Sequence, residues 1–325
     1  MNKNKIKMIL GRNKRIYNIG SYIYVSIFNH DRLEKNKCYG DKNSDKRILL
    51  IRPNTEDGVQ GLMSLFVQTM RWIEYSNRKG MIPFVDFKNY MTQYSDGTNI
   101  WECFFTQPSN LTIEEVYSSK NVILSGTTLK PQVNTMLFRS TIFFDRKLCG
   151  QCYDVIWNNI KISDAVEKIV AKENNFLHVE HCIGAYLRGT DYVQLKPAGE
   201  YMQPTLDEFI KKLDEFVKKY PQKDIFLVTE DYTYYCTMKE QYGDKIKIVS
   251  FDSFVKNYSG QDYLSKAGVL ERNPRKRGIE YLVKMLLLSR CESLVTSITM
   301  GSIATYALNG GNYKEKYVFD LGVYH

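Results

Sequence analysis

Three short stretches carry side chains whose types and spacing suit an anionic ligand. Arg188, Gly189, Thr190 and Asp191 follow an apolar run from Ile183 to Leu187, the pattern of a buried parallel strand that delivers polar groups to its carboxyl edge. Ligands of open α/β sheets sit at that edge. A guanidinium there offers a rigid five-donor fork suited to phosphate oxygens, Gly189 permits a close backbone approach, and Asp191 holds the loop or the arginine in register. Two readings stay open at this point: a diphosphate-binding loop, or an ordinary ion pair between Arg188 and Asp191. The run from Asp224 to Thr229 is a second buried strand, ending in Thr229, Glu230 and Asp231. Ser293 to Ser297 is another, followed by Thr299, Met300, Gly301 and Ser302 at a helix start, where hydroxyls and unpaired N–H groups attract anions. One arginine, two carboxylates and a hydroxyl-rich helix start along one edge match a nucleoside diphosphate. The cation and N–H groups serve the phosphates, and the carboxylates serve donors of the ribose or base.

The elements that must position these groups alternate between strand and helix. Arg47 to Arg52 reads as a strand, followed by a polar turn with Asp57 and Gly58. Gly61 opens a helix with Leu62, Leu65, Phe66, Met70 and Ile73 at helical spacing, ending near Gly80, and Ile82 to Phe87 is the next strand. This unit places Asp57, Gly58 and Gly61 at the ligand edge of a first sheet. No GxGxxG accompanies it, so a bound dinucleotide is not indicated. Further strands are expected over 120–126 and 245–250, and helices over 160–175, 204–218 and 277–289. The aromatic stripe from Trp101 to Pro108 is expected in the core.

The 325 residues, 43% of them hydrophobic, support two domains. The expectation is α/β architecture with two Rossmann-like domains facing each other across a cleft: a basic arm over 1–46, an acceptor domain over 47–175 and a donor domain over 176–325, with the fold continuous from about residue 47. The formal charge of +9 sits mostly in the arm, where eleven Lys/Arg face four Asp/Glu, leaving +2 on the other 279 residues. Such an arm suits an anionic membrane surface, nucleic acid or a solvated lead-in. It has no RRM, KH or helix-turn-helix signature, so nucleic acid is not expected as a partner. The Ile16 to Phe28 stretch is too short and interrupted to span a bilayer, and no small-residue cleavage site follows it. A cytoplasmic protein, peripheral to a membrane through its arm, is the expectation.

Seven scattered cysteines fit a reducing compartment. Cys149 and Cys152 have CxxC spacing without the second pair that a zinc ribbon needs. His178 and His181, on an extended chain, would point to opposite faces. No metal is implied, and no cofactor is expected.

Tyr186 to Asp191, Phe226 to Asp231 and Leu286 to Ser302 together resemble, in order and spacing, the three successive motifs of the fucosyltransferase superfamily with the GT-B fold. That group includes α1,2-, α1,6- and protein O-fucosyltransferases and rhizobial nodulation enzymes. The resemblance implies an inverting, metal-independent transfer of fucose from GDP-fucose to a glycan acceptor such as a cell-surface polysaccharide. It makes Arg188 the diphosphate ligand and Asp191 its loop partner. Glu230 and Asp231 become contacts to guanine or ribose, and Thr299 with Ser302 a phosphate hydroxyl and helix start; Gly189, Ser297 and Gly301 belong to the same donor loops. It also points to Glu200 as general base, with Asp57 across the cleft as the alternative. Tyr186 stands where the family usually has histidine, Gly189 where many α1,2 and α1,6 members have a second arginine, and Met300 where α1,6 members carry serine, which leaves the linkage open. Two alternatives remain beside the fucosyltransferase reading: a transferase using another nucleotide sugar, and a non-catalytic module that binds a nucleotide sugar or glycan.

Overall fold

The computed structural model describes residues 14–54, 59–127, 132–134, 136–256, 258, 260, 262–264 and 273–325. In chain order, helix α1 (Lys14–Phe28) and strand β1 (Lys35–Lys37) precede β2 (Ile48–Ile51), α2 (Leu62–Arg78) and β3 (Ile82–Val85). Two short helices, α3 (Ile100–Phe104) and α4 (Ile113–Val116), lead to β4 (Val122–Leu124). The first sheet has the order β1-β4-β2-β3, with β2 parallel to both neighbours and β1 antiparallel to β4. All four residues of β2 are fully buried, as its unbroken apolar run requires. The fold thus begins before residue 47. Lys35-Asn36-Lys37 is a short, charged edge strand with no apolar alternation, which is how edges avoid pairing with other chains and why its sequence does not read as a strand.

Helices α5 (Arg146–Trp157) and α6 (Asp164–Leu177) come next, and α5 was not apparent in the sequence pattern. Both lie against C-terminal elements. The Trp157 indole donates to the carbonyl of Leu308, and Glu173 accepts from Ser250 N and Oγ, both at 2.7 Å. Cys149 and Cys152 are buried on α5, and burial pushes their thiols up to about 12 and about 11, as suits packing groups. His178 to His181 is not extended. Val179–His181 is a 3₁₀ turn, entered through His178 at φ 48°, and both imidazoles are exposed near Glu180.

The C-terminal half holds β5 (Ile183–Tyr186), α7 (Thr190–Leu195), α8 (Leu206–Lys219), β6 (Ile225–Val228), α9 (Tyr232–Tyr242), β7 (Ile246–Lys247), α10 (Pro274–Leu288), β8 (Ser293–Ser297), α11 (Met300–Asn309) and β9 (Glu315–Phe319). Its sheet is wholly parallel, in the order β7-β6-β5-β8-β9. The strand expected over 245–250 shortens to Ile246–Lys247, while α9 and β9 are additions. From β5 the chain winds outward through β6 and β7, then returns to place β8 on the other side of β5, so the order reverses between β5 and β8. Doubly wound sheets bind ligands at that switch point, where Arg188 follows β5 and Thr299 follows β8. Trp101, Phe104 and Phe105 are buried in a core that also contains Leu286, Ile303 and Tyr306, so apolar packing joins the two halves.

Candidate active site

The loop after β5 is rigid and satisfied largely from within. Leu187 still bonds the Val228 carbonyl at 3.0 Å, so Arg188 leaves the sheet at a fixed point. Its side chain is 24% exposed and donates from one terminal nitrogen to Asp191 Oδ1 at 3.0 Å, with the guanidinium 4.3 Å from the centre of the Tyr192 ring. The Arg188 Nε is buried and has no hydrogen-bond partner among the described residues. Burial alone would lower the Arg188 pKa, but Asp191 and Glu230 raise it, so the guanidinium stays charged. Asp191 is itself 2% exposed and accepts from the amides of Tyr192 and Leu264.

Glu230 and Asp231 serve this loop. Glu230 accepts from Gly189 N at 3.0 Å and Thr190 Oγ1 at 2.8 Å, and burial raises its pKa. Asp231 caps α9 through the amides of Thr233 and Tyr234, accepts from Thr190 N, and is not part of the cleft lining. These contacts hold Thr190 at φ 43°, a left-handed conformation that a β-branched residue adopts only under constraint. Gly189 is required by close packing: a Cβ there would lie 2.7 Å from Asp231 Oδ2. The expectation that both carboxylates meet a base or ribose therefore needs revision. Asp231 is a helix cap, and Glu230 faces the cleft with one oxygen already engaged.

At the other strand end, Thr299 caps α11 in a reciprocal box with Ser302. The hydroxyls are consumed in that box, and Ser302 is fully buried, as is Ser297, which donates to Gln203. Ser297 and Ser302 thus shape the helix start from behind it. The box satisfies the amide of Ser302, leaving those of Met300 and Gly301, both on the cleft wall, as the anion-facing donors of the first turn. Gly301 is fixed there sterically, because a Cβ would lie 2.6 Å from the hydroxyls of both Tyr186 and Tyr281.

These groups meet in a cleft of about 620 Å³ between the halves. Arg188, Asp191, Glu200, Glu230, Thr299 and Gly301 all line it, and Gly61 lines it from the N-terminal side at the start of α2. Glu200 is exposed at the rim, and its charge is felt at the Tyr192 phenol. Asp57 and Gly58 lie outside the described residues. Helix α10 contributes residues that strand-end reasoning did not single out. Glu280 and Lys284 line the cleft, and behind them Lys284 pairs with Asp252 while Glu280 accepts from Ser253 N and Oγ. Phe254 and Val255 add apolar surface beside the end of β6. The signal in sequence was Glu280 and Lys284 one turn apart on a strongly apolar helix. Among the described residues no three His, Cys, Asp or Glu side chains converge to hold a metal ion.

No protein-family model and no curated protein matches the chain. Its chain course is similar to that of solved fucosyltransferases. Fucosyltransferase NodZ from Bradyrhizobium is 13% identical, with 86% of this chain and 97% of that chain covered at a TM-score of 0.48. An Arabidopsis thaliana FUT1 mutant in complex with GDP is 10% identical, with 94% and 79% covered at 0.49. POFUT1 in complex with GDP-fucose is 10% identical, with 86% and 76% covered at 0.39.

Proposed function

We propose that this protein is an inverting glycosyltransferase that moves fucose from GDP-fucose to a glycan acceptor without a divalent metal. The observation that carries the reading is Arg188 at the switch point, a charged guanidinium lining a cleft that also receives the first amides of α11. A diphosphate satisfies both, and the motif resemblance names the donor. In the transfer, the acceptor oxygen forms a bond to the anomeric carbon as the bond from that carbon to the β-phosphate breaks. The electron pair goes to the phosphate, where Arg188 and the amides of Met300 and Gly301 stabilise it. The acceptor proton goes to a carboxylate on the opposite side, which we assign to Glu200. Thermal shift with a panel of nucleotide sugars tests the donor. GDP and GDP-fucose should stabilise the protein while UDP- and dTDP-sugars do not. Because Asp231 is spent on a helix cap, a transferase using another nucleotide sugar is the second reading, and stabilisation by a non-guanine member of the panel would establish it. Excess EDTA should leave the rate of transfer unchanged; a loss restored by magnesium or manganese overturns the metal-free assignment.

A membrane contact belongs to the same proposal. No helix among the described residues is long and apolar enough to cross a membrane. Ile23, Tyr24, Ile27 and Phe28 are nevertheless exposed by 53 to 67% along one stripe of α1, within the basic arm. Vesicles containing anionic phosphatidylglycerol should bind the protein and purely zwitterionic ones should not, and Ile27→Asp with Phe28→Asp should abolish the binding.

A further inference from the structure

The N-terminal wall of the cleft carries a cation that no carboxylate pairs among the described residues. Ser64, Val67, Gln68 and Arg71 share one face of α2, by their spacing of three and four residues, and all four line the cleft. Arg71 donates from Nε to the carbonyl of Leu137 and from one terminal nitrogen to that of Phe138, both at 3.0 Å, which spends two of its five N–H groups. Its charge has no carboxylate partner among the described residues. The groups that bear on it are Arg139 and the Cys152 thiol, and burial together with Arg139 lowers its pKa only to about 10, so it is cationic at neutral pH. One turn away on the same helix, the Oε1 atom of Gln68 is buried without a hydrogen-bond partner among the described residues. Whichever way that amide turns, polar capacity is left unspent beside the cleft wall. A half-buried cation without a counter-ion and an unpaired amide oxygen each cost stability unless something meets them.

We infer that this face of α2 is the acceptor subsite and that it selects a sugar bearing an anionic group, which Arg71 binds while Gln68, one turn away, meets a sugar hydroxyl. Carboxylate, phosphate and sulfate share the required chemistry. The name acceptor rests on the transferase reading, whereas the binding of an anionic sugar does not.

The test titrates the full-length protein, with and without GDP, using matched pairs: methyl glucuronide against methyl glucoside, glucose 6-phosphate against glucose, and galactose 6-sulfate against galactose. The charged member of at least one pair should bind at least tenfold more tightly than its neutral partner, and the pair showing the largest ratio identifies the anion. Arg71→Gln should erase the preference while GDP affinity persists. Arg71→Lys should retain part of it and guards against a glutamine variant that fails to fold. Equal binding of charged and neutral sugars, no binding of either, or a preference that survives in folded Arg71→Gln would each overturn the inference. Failure of GDP to bind, with the sugar preference intact, would instead count against the donor reading alone.

Discussion

Arg188 and Asp191 form an ion pair at 3.0 Å that occupies one terminal nitrogen of the guanidinium and leaves the buried Nε without a partner among the described residues. The sequence posed a diphosphate loop and an ordinary ion pair as rivals, and the geometry makes them complementary. Asp191, anchored by the Tyr192 and Leu264 amides, fixes one prong of a guanidinium that also lines the cleft. An unpaired buried N–H costs about 1–3 kcal/mol, so the loop holds the guanidinium in place at some expense of stability.

Arg188 is therefore not the exposed strand end that its sequence implies, and its removal should have two effects. Arg188→Ala should weaken GDP binding by about 10- to 150-fold, the equivalent of about 1.5–3 kcal/mol for a charge-assisted bond. It should also lower stability, because Asp191 is left as a buried charge without a counter-ion, which typically costs about 3–5 kcal/mol. Adding Asp191→Asn should restore the melting temperature but not the binding. Titration calorimetry with GDP, run beside thermal melts of the two variants, checks both effects. Wild-type affinity in Arg188→Lys would count against recognition by a planar fork.

Legibility in this chain followed burial. The runs Ile48–Ile51, Ile183–Tyr186 and Ile225–Val228 are continuous and apolar because both faces of their strands are covered, so they could be read directly, as could the helical face of Leu62, Leu65, Phe66 and Met70. Lys35–Lys37 and Glu315–Phe319 escaped because each lies at the edge of its sheet and keeps exposed or half-exposed positions, which erases the apolar pattern. The site residues divide in the same way. Strand ends located Arg188, Glu230 and Thr299, yet sequence could not tell a ligand-facing carboxylate from a capping one, because Asp231 differs from Glu230 only in where α9 begins. Arg71, Glu280 and Lys284 lie in mid-helix, where charge normally marks the solvated face.

Gly301 should tolerate no side chain. In Gly301→Ala the new methyl would lie 2.6 Å from the hydroxyls of Tyr186 and Tyr281, at the ends of packed rings that cannot yield without shifting β5 or α10. Overpacking of this kind costs about 1–3 kcal/mol, and the displaced helix start should weaken GDP binding as well. Gly61→Ala is the control: its Cβ meets nothing within 4 Å, so melting temperature and GDP affinity should stay near wild type.

The buried cluster behind the cleft gives a pH signature. Burial pushes the Asp252 carboxyl from 3.8 up to about 6, against the opposing pull of Lys284. A folded-state pKa above the unfolded one means that the native protein binds the proton more tightly. The contribution is fully present below pH 4 and is lost as the pH rises through 6. Asp252→Asn cannot ionise, so the melting temperature of the parent minus that of the variant should fall between pH 4 and 7, by the equivalent of at most about 3 kcal/mol. A difference constant across that range would show that Asp252 is charged in the native state throughout.

The general base is the assignment most directly open to kinetics. Glu200 sits on a segment pinned to the C-terminus: Gly199 N donates to the Tyr324 carbonyl, Tyr324 N to the Glu200 carbonyl and Met202 N to the Gly322 carbonyl. Those backbone bonds fix where the residue starts, while its exposed side chain belongs to the cleft lining, near enough to Tyr192 for its charge to be felt there. That is the placement a base needs, with a rigid origin and access to an arriving hydroxyl. Glu200→Gln preserves shape and removes basicity, so kcat should fall by about 10² to 10⁴ while the Kd for GDP is unchanged. The acidic limb of the kcat/KM profile should disappear with it, an effect that a purely structural role for Glu200 would not produce. If Glu200→Gln transfers fucose at the parent rate, the proton goes elsewhere. Asp57→Asn, at the alternative carboxylate that the sequence offers, should then show the loss in its place.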